Sequence, residues 1–165
     1  MVVDGATLTL GPDGTGSYAP VAADGTLITG GDPIVIRAAG ADVPAFTRNH
    51  TGPRAIELTE PPLSTLSPLG RDAPLTLRWT GSSDGRVVAA IVQGGLQVRC
   101  QFDPSAATGA IPIEALSELS PGSAVFAVIA DVREVGVVSG WRVRTAVRRN
   151  AQQGGADAVA SITIE

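Results

Sequence analysis

The chain lacks most of the side chains on which enzymes rely. Its 165 residues contain no lysine, one histidine (His50), one cysteine (Cys100) and one methionine. General acid–base and nucleophilic catalysis depend mainly on histidine, cysteine, lysine or clustered carboxylates. The carboxylates here are scattered along the chain. The sequence therefore predicts a non-enzymatic protein, with no catalytic residue, no metal site and no cofactor.

Other absences narrow the class of protein. A single cysteine forms no internal disulfide, so cysteine usage leaves the redox compartment open. No apolar run reaches about 18 residues, so no transmembrane segment is expected. No basic stretch followed by an apolar segment is visible near Met1, so no leader is evident in the sequence as given. The formal net charge of −4 argues against a nucleic-acid partner.

Glycine-rich turns and short apolar runs fill the sequence instead. Three runs alternate between apolar and polar residues with a period of two, which is typical of strands that pack one face on a core. Their expected inward residues are Leu75, Leu77 and Trp79; Leu96, Val98, Cys100 and Phe102; and Trp141, Val143, Thr145 and Val147. Further strands are expected at 7–10, 33–38, 55–59, 86–92, 123–130 and 157–165. We therefore predict an all-β, immunoglobulin-like antiparallel β-sandwich.

One short helix is expected at Ile111–Ser120, because Pro112 suits a first helical position and Pro121-Gly122 ends the pattern. Prolines interrupt the segment 39–74, where a loop is expected at 64–73. We predict a single domain over residues 1–165, because the first 70 or so residues offer little core of their own. The alternative is an N-terminal hairpin extension at 1–73 before a main sandwich at 74–165.

Several residues are of types that can carry chemistry. His50 lies in a polar stretch without a second metal ligand, which favours an exposed loop histidine. Cys100 shares an apolar face, which favours a core position. Glu114 and Glu118 fall on the polar side of the predicted helix, which favours a solvated pair. The triplet Asn49-His50-Thr51 matches a glycosylation acceptor, a pattern that is frequent by chance.

Four aspartates lie in glycine-rich turns, where carboxylates can bind calcium. The residues concerned are Asp13, Asp24, Asp32 and Asp42. They lack the calcium-loop spacing, and aspartate favours turns through its own backbone hydrogen bonds. We therefore expect turn residues rather than a calcium site.

The outward arginines are the most distinctive surface feature. They are Arg78, Arg99, Arg142, Arg144 and Arg148. If their strands are neighbours in one sheet, their guanidinium groups share a face that suits an anionic polysaccharide, phosphate or a carboxylate-rich protein. The alternative is that arginine replaces lysine on exposed strands and pairs with nearby carboxylates.

Four segments resemble a set of uncharacterised bacterial sandwich domains. They are Pro74–Gly81, Val98–Asp103, Gly109–Leu116 and the upstream Ala39–Phe46. The resemblance covers roughly residues 30 to 130, and such domains occur in secreted proteins and lipoproteins of GC-rich bacteria. It implies an extracytoplasmic location (periplasm, outer membrane surface or secreted) and no particular activity.

Three functions remain open at this point. The first is a cell-envelope or extracellular structural or binding domain, with strand edges and loops as the recognition elements. The second is a carbohydrate-binding module, which is weakened because Trp79 and Trp141 both fall on apolar faces and Tyr18 is the only tyrosine. The third is an enzyme whose serine nucleophile would use His50 as its base. The oligomeric state is left open.

Overall fold

The computed structural model describes residues 2–3, 6–7, 29–40, 44–81 and 84–165. Strands account for 60% of the structure, and there is one short helix among antiparallel sheets that pack together. The predicted all-β sandwich class is confirmed. The immunoglobulin-like arrangement stays a prediction.

The strands and helices have the following order and bounds. The first strands are β1 (Val2–Val3), β2 (Ala6–Thr7), β3 (Pro33–Ala38), β4 (Phe46–Thr51), β5 (Glu57–Glu60) and β6 (Leu75–Thr80). They are followed by β7 (Arg86–Gln93), β8 (Leu96–Phe102), β9 (Thr108–Ile111), α1 (Ile113–Ser117) and β10 (Gly122–Val138). The last are β11 (Trp141–Asn150), β12 (Gln152–Gln153), β13 (Ala156–Asp157) and β14 (Val159–Ile164). Two 3-10 turns lie at Leu63–Thr65 and Pro104–Ala106.

The chain divides into two compact units. Unit 1 comprises Met1–Gly52 and Arg133–Val147, and unit 2 comprises Pro53–Val132 and Arg148–Glu165. The chain therefore passes from one unit to the other within β10 and again within β11. The single domain predicted over residues 1–165 stays a prediction, as does the alternative boundary at residue 73.

Unit 2 is built from two sheets. In one, β10 lies between β7 and β14, and β8 follows β7 at the edge. In the other, the order is β13-β12-β5-β6-β9. The pairing is antiparallel except for Gln152 beside Glu57 and an isolated bridge between Leu69 and Ile164. Side chains from both sheets and from α1 form one buried core.

The alternation of inward and outward side chains along the strands explains how that core forms. In β6, Leu77 and Trp79 are buried while Thr76 and Arg78 are exposed, as the period of two predicts. The Trp79 indole N–H donates to the Pro104 carbonyl at 2.9 Å, and its ring lies 5.7 Å from that of Phe102. The central strand β7 is buried on both faces from Val87 to Ile91, which accounts for its continuous apolar sequence.

Unit 1 contains a sheet of order β2-β1-β3-β4. In its described part, β3 and β4 pair from Pro33 beside Thr51 to Ala38 beside Phe46. The buried apolar residues there are Ile34 and Val147, with Ile36 packed against them.

The main differences from the sequence prediction concern the helix, the length of β10 and the segment of β4, and the short strands β9, β12 and β13 were not predicted either. The helix covers only Ile113–Ser117, because Ile111 ends β9 and Pro112 is extended at φ −71°, ψ 156°. The strand expected at 123–130 continues to Val138. The segment 46–51 is a strand and no strand was predicted there. Its polar residues give no apolar alternation, and its pairing with β3 decides its conformation. Most of the strand expected at 7–10 lies outside the described residues.

Candidate functional site

The end of the β10–β11 hairpin in unit 1 carries the most distinctive exposed surface. We call the segment Arg133–Val147 the hairpin arm. Its loop is Ser139-Gly140, with φ 47° and 86°, and two successive positive φ values fit a tight hairpin turn. The arm contains three arginines and one glutamate, in a chain whose net charge is −4. Positive charge is therefore concentrated on this element.

One face of the arm is held against β4. Glu134 Oε1 lies 3.5 Å from Arg48 Nε, and the Thr145 hydroxyl lies 2.6 Å from His50 Nε2. The absence of a side chain at Gly136 leaves room for the Arg48 guanidinium, since a Cβ there would clash with its Nη2. The acidic side chain of the arm is therefore already occupied by an arginine.

The opposite face of the arm carries alternate residues of both strands, which are Val135, Val137, Arg142 and Arg144. All four are exposed, and Val137 reaches 71% exposure. Neither Arg142 nor Arg144 makes a side-chain hydrogen bond or an ion pair with any residue that the structure describes. This basic face of the arm is the candidate binding surface. It suits a carboxylate, sulfate or phosphate group, because guanidinium binds such groups with two parallel hydrogen bonds.

The remaining candidate arginines do not extend this face. Arg78 lies on β6, where its Nε is 3.0 Å from a Glu60 oxygen. Arg99 and Arg148 both reach Asp131 on β10, at 3.1 Å each, and that carboxylate is fully buried. The predicted set of five therefore separates into one surface ion pair, one buried carboxylate cluster and the basic face of the arm.

His50 is not the exposed loop residue that the sequence suggested. It lies on β4, and its side chain is 2% exposed. The nearest Glu134 oxygen is 4.0 Å from the same Nε2 that meets Thr145. A catalytic triad needs its carboxylate on the other ring nitrogen, which bonds no described side chain. What the structure shows at His50 is a part-buried hydrogen bond to Thr145.

The other candidates have local roles. Cys100 packs against the unit 2 core, and its burial raises the pKa of the thiol. Asp32 accepts the Thr29 N–H at 2.7 Å as a turn residue. Glu114 and Glu118 are exposed at α1. The remaining turn aspartates, Asp13, Asp24 and Asp42, lie outside the described residues, as does Tyr18. Within the described ranges, no three metal-ligating side chains converge.

The sequence did not predict the exposure of Trp141 or the capping role of Asp103. Trp141 was expected on an apolar face, but it is 50% exposed near the tip of the arm, where the described residues offer no core. Asp103 caps the 3-10 turn at Pro104–Ala106. Hydrogen bonds from the hydroxyl and then the backbone N–H of Ser105 lower the pKa of its carboxyl.

The helices of the described chain are too short to cross a bilayer. Comparisons with protein-family models, with curated proteins and with solved structures find no match to this chain.

Proposed function

We propose that this protein is a non-enzymatic binding domain of the cell envelope or extracellular space, which recognises an anionic partner through the basic face of the hairpin arm. One observation carries the proposal. Arg142 and Arg144 stand exposed beside Val135 and Val137, and the single acidic side chain of the arm is turned to the opposite face.

The chemistry favours a ligand with charged and apolar parts. Two guanidinium groups on alternate residues of a strand lie about 7 Å apart along it, a spacing that suits neighbouring acidic groups on a polymer. The two valines add apolar contact that loses water on binding. We expect a carboxylate-rich protein surface as the primary partner.

Binding of poly-glutamate by the full chain tests this proposal. The double variant Arg142→Glu/Arg144→Glu should lose binding, as measured by calorimetry at low and physiological ionic strength. The matched control Arg37→Glu/Arg54→Glu makes the same charge change at exposed arginines elsewhere and should retain binding. Equal loss in both variants would show an effect of net charge, and unchanged binding in the first variant would contradict the proposed surface.

An anionic polysaccharide is the second candidate, and Trp141 favours it, although by alternation this residue lies on the other face of β11 from Arg142 and Arg144. Exposed aromatic rings commonly stack on sugars, and Trp141 is half exposed whereas Trp79 is buried. Polygalacturonate should therefore shift the emission of Trp141 and leave that of Trp79 unchanged. A Trp141→Phe variant removes the responding signal and identifies its source. A response to poly-glutamate alone would favour a protein partner.

The proposed location is tested by fractionation of the native host and by intact mass. A leader-cleaved or lipidated protein in the envelope is the expected result. An unmodified protein that starts at Met1 in the cytosol would contradict the extracytoplasmic assignment.

A further inference from the structure

Strand β8 forms an edge of its sheet in unit 2. It pairs with β7 over seven consecutive residue pairs, from Val87 beside Phe102 to Gln93 beside Leu96. No strand that the structure describes pairs with its other side. This edge is separate from the hairpin arm and from the proposed anionic ligand.

The hairpin geometry decides which backbone groups face outward. A two-residue loop, Gly94-Gly95, joins β7 to β8, so the flanking residues Gln93 and Leu96 form a hydrogen-bonded pair. Hydrogen-bonded and non-hydrogen-bonded pairs alternate along an antiparallel ladder. The backbone N–H and C=O groups of Gln97, Arg99 and Gln101 therefore point away from β7.

Edge strands usually carry a feature that blocks further pairing, such as a proline, a bulge or an outward lysine. β8 contains no proline, and its register is continuous. Its one charged side chain, Arg99, is turned across the sheet towards β10, where Nη2 donates to the buried Asp131 carboxylate at 3.1 Å. The edge therefore lacks the usual protection.

The sequence of β8 has the same pattern in both directions. It is Leu-Gln-Val-Arg-Cys-Gln-Phe, so apolar residues alternate with glutamine, arginine and glutamine about a centre at Arg99. A two-fold contact requires such a self-complementary surface. We propose that two copies of this chain associate through antiparallel pairing of their β8 strands, with the two-fold axis beside Arg99.

This register satisfies the groups at the edge. Gln97 of each copy lies opposite Gln101 of the other, and Arg99 lies opposite its own copy at the axis. These three pairs exchange six backbone hydrogen bonds. Leu96 and Phe102 face each other on the core side of the joined sheet. The two Arg99 side chains meet near the axis, where each already has the carboxylate of its own Asp131 as a counter-charge. Like-charge repulsion at the centre is thereby reduced.

The oligomeric state of the full chain tests the proposal. Sedimentation velocity over a range of concentrations should show a monomer–dimer equilibrium. Gln97→Lys/Gln101→Lys places lysine opposite lysine at both outer pairs and should weaken association roughly tenfold or more. Gln97→Lys/Gln101→Glu places lysine opposite glutamate in the same register and should restore the dimer.

A matched control adds the same charge elsewhere on the sheet. Ser123→Lys/Ser161→Lys changes two exposed residues of β10 and β14, away from the β8 edge, and should leave the dimer unchanged. Far-UV circular dichroism checks that each variant is folded. A monomer at every concentration, or equal association of the two residue-97/101 variants, would overturn the proposal.

Discussion

The two units differ in the buried interactions that stabilise each of them. Unit 2 buries twenty-one apolar residues in one cluster, and Trp79 and Phe126 are its largest fully buried side chains. The described part of unit 1 buries Ile34 and Val147, and beside them a histidine bonded to a threonine. Burial of apolar area is the dominant stabilising contribution to folding. Unit 2 therefore has the character of a scaffold, while the surface with distinctive chemistry lies on unit 1.

The largest expected effect of this contrast is a difference in the free energy of unfolding between substitutions of the two tryptophans. Trp79→Ala should lower the free energy of unfolding by about 3–5 kcal/mol, because it opens a cavity in the unit 2 core and removes a hydrogen bond to Pro104. Trp141→Ala should cost less than about 1 kcal/mol, because that ring is half exposed. Urea denaturation followed by far-UV circular dichroism measures both changes. Equal costs would show that Trp141 supports the fold as much as Trp79 does.

The next largest loss of stability is expected at Asp131, the buried carboxylate of unit 2. Asp131→Asn keeps the size of the side chain but removes the charge that Arg99 and Arg148 share. We expect a loss of about 2–3 kcal/mol, since hydrogen bonds between charged groups are the strong ones. Arg148→Gln should cost less, because Arg148 is more than half exposed and Arg99 remains. If the arginine substitution proves the costlier, Arg148 stabilises the protein through contacts other than Asp131.

The sequence predicted unit 2 better than unit 1, and the cause is physical. Strands such as β6 alternate strictly, so the side chains at Leu77 and Trp79 could be assigned to the core from spacing alone. β4 offers no such signal, because its buried residue is His50, flanked by polar residues on both sides. Only the pairing with β3 and the bond to Thr145 show that this segment is a strand with a buried His50.

The candidate surface was predictable only in part. Alternation correctly placed Arg142 and Arg144 on the polar side of β11. The partners that remove Arg78, Arg99 and Arg148 from that face could not be predicted, because Glu60 and Asp131 reach them across strands whose order the sequence leaves open. The extension of β10 beyond Ala130 was hidden for a similar reason, since polar residues replace the apolar pattern there.

A smaller effect is expected from the polar contact of unit 1. Thr145→Val removes the hydroxyl that meets His50 Nε2 and leaves that buried nitrogen without this partner. The expected cost is about 1–2 kcal/mol, which is the range for an unsatisfied buried polar group. Thr47→Val makes the same chemical change at an exposed position of β4 and should cost nearly nothing. Equal stability of the two variants would show that the His50–Thr145 bond does not measurably stabilise the packing of the arm on β4.

The smallest effect belongs to a turn of unit 2. Because Ser105 lowers the pKa of the Asp103 carboxyl, this group stabilises the fold above its unfolded pKa, and the contribution is lost as pH falls through the folded pKa. An NMR titration of that carboxyl follows the effect directly. Ser105→Ala removes the hydroxyl, the larger of the two causes, and should move the pKa of Asp103 back towards its ordinary value, while the backbone N–H still donates. An unchanged titration in Ser105→Ala would assign the shift to the backbone alone, and the turn would then depend on the conformation of the chain rather than on the identity of residue 105.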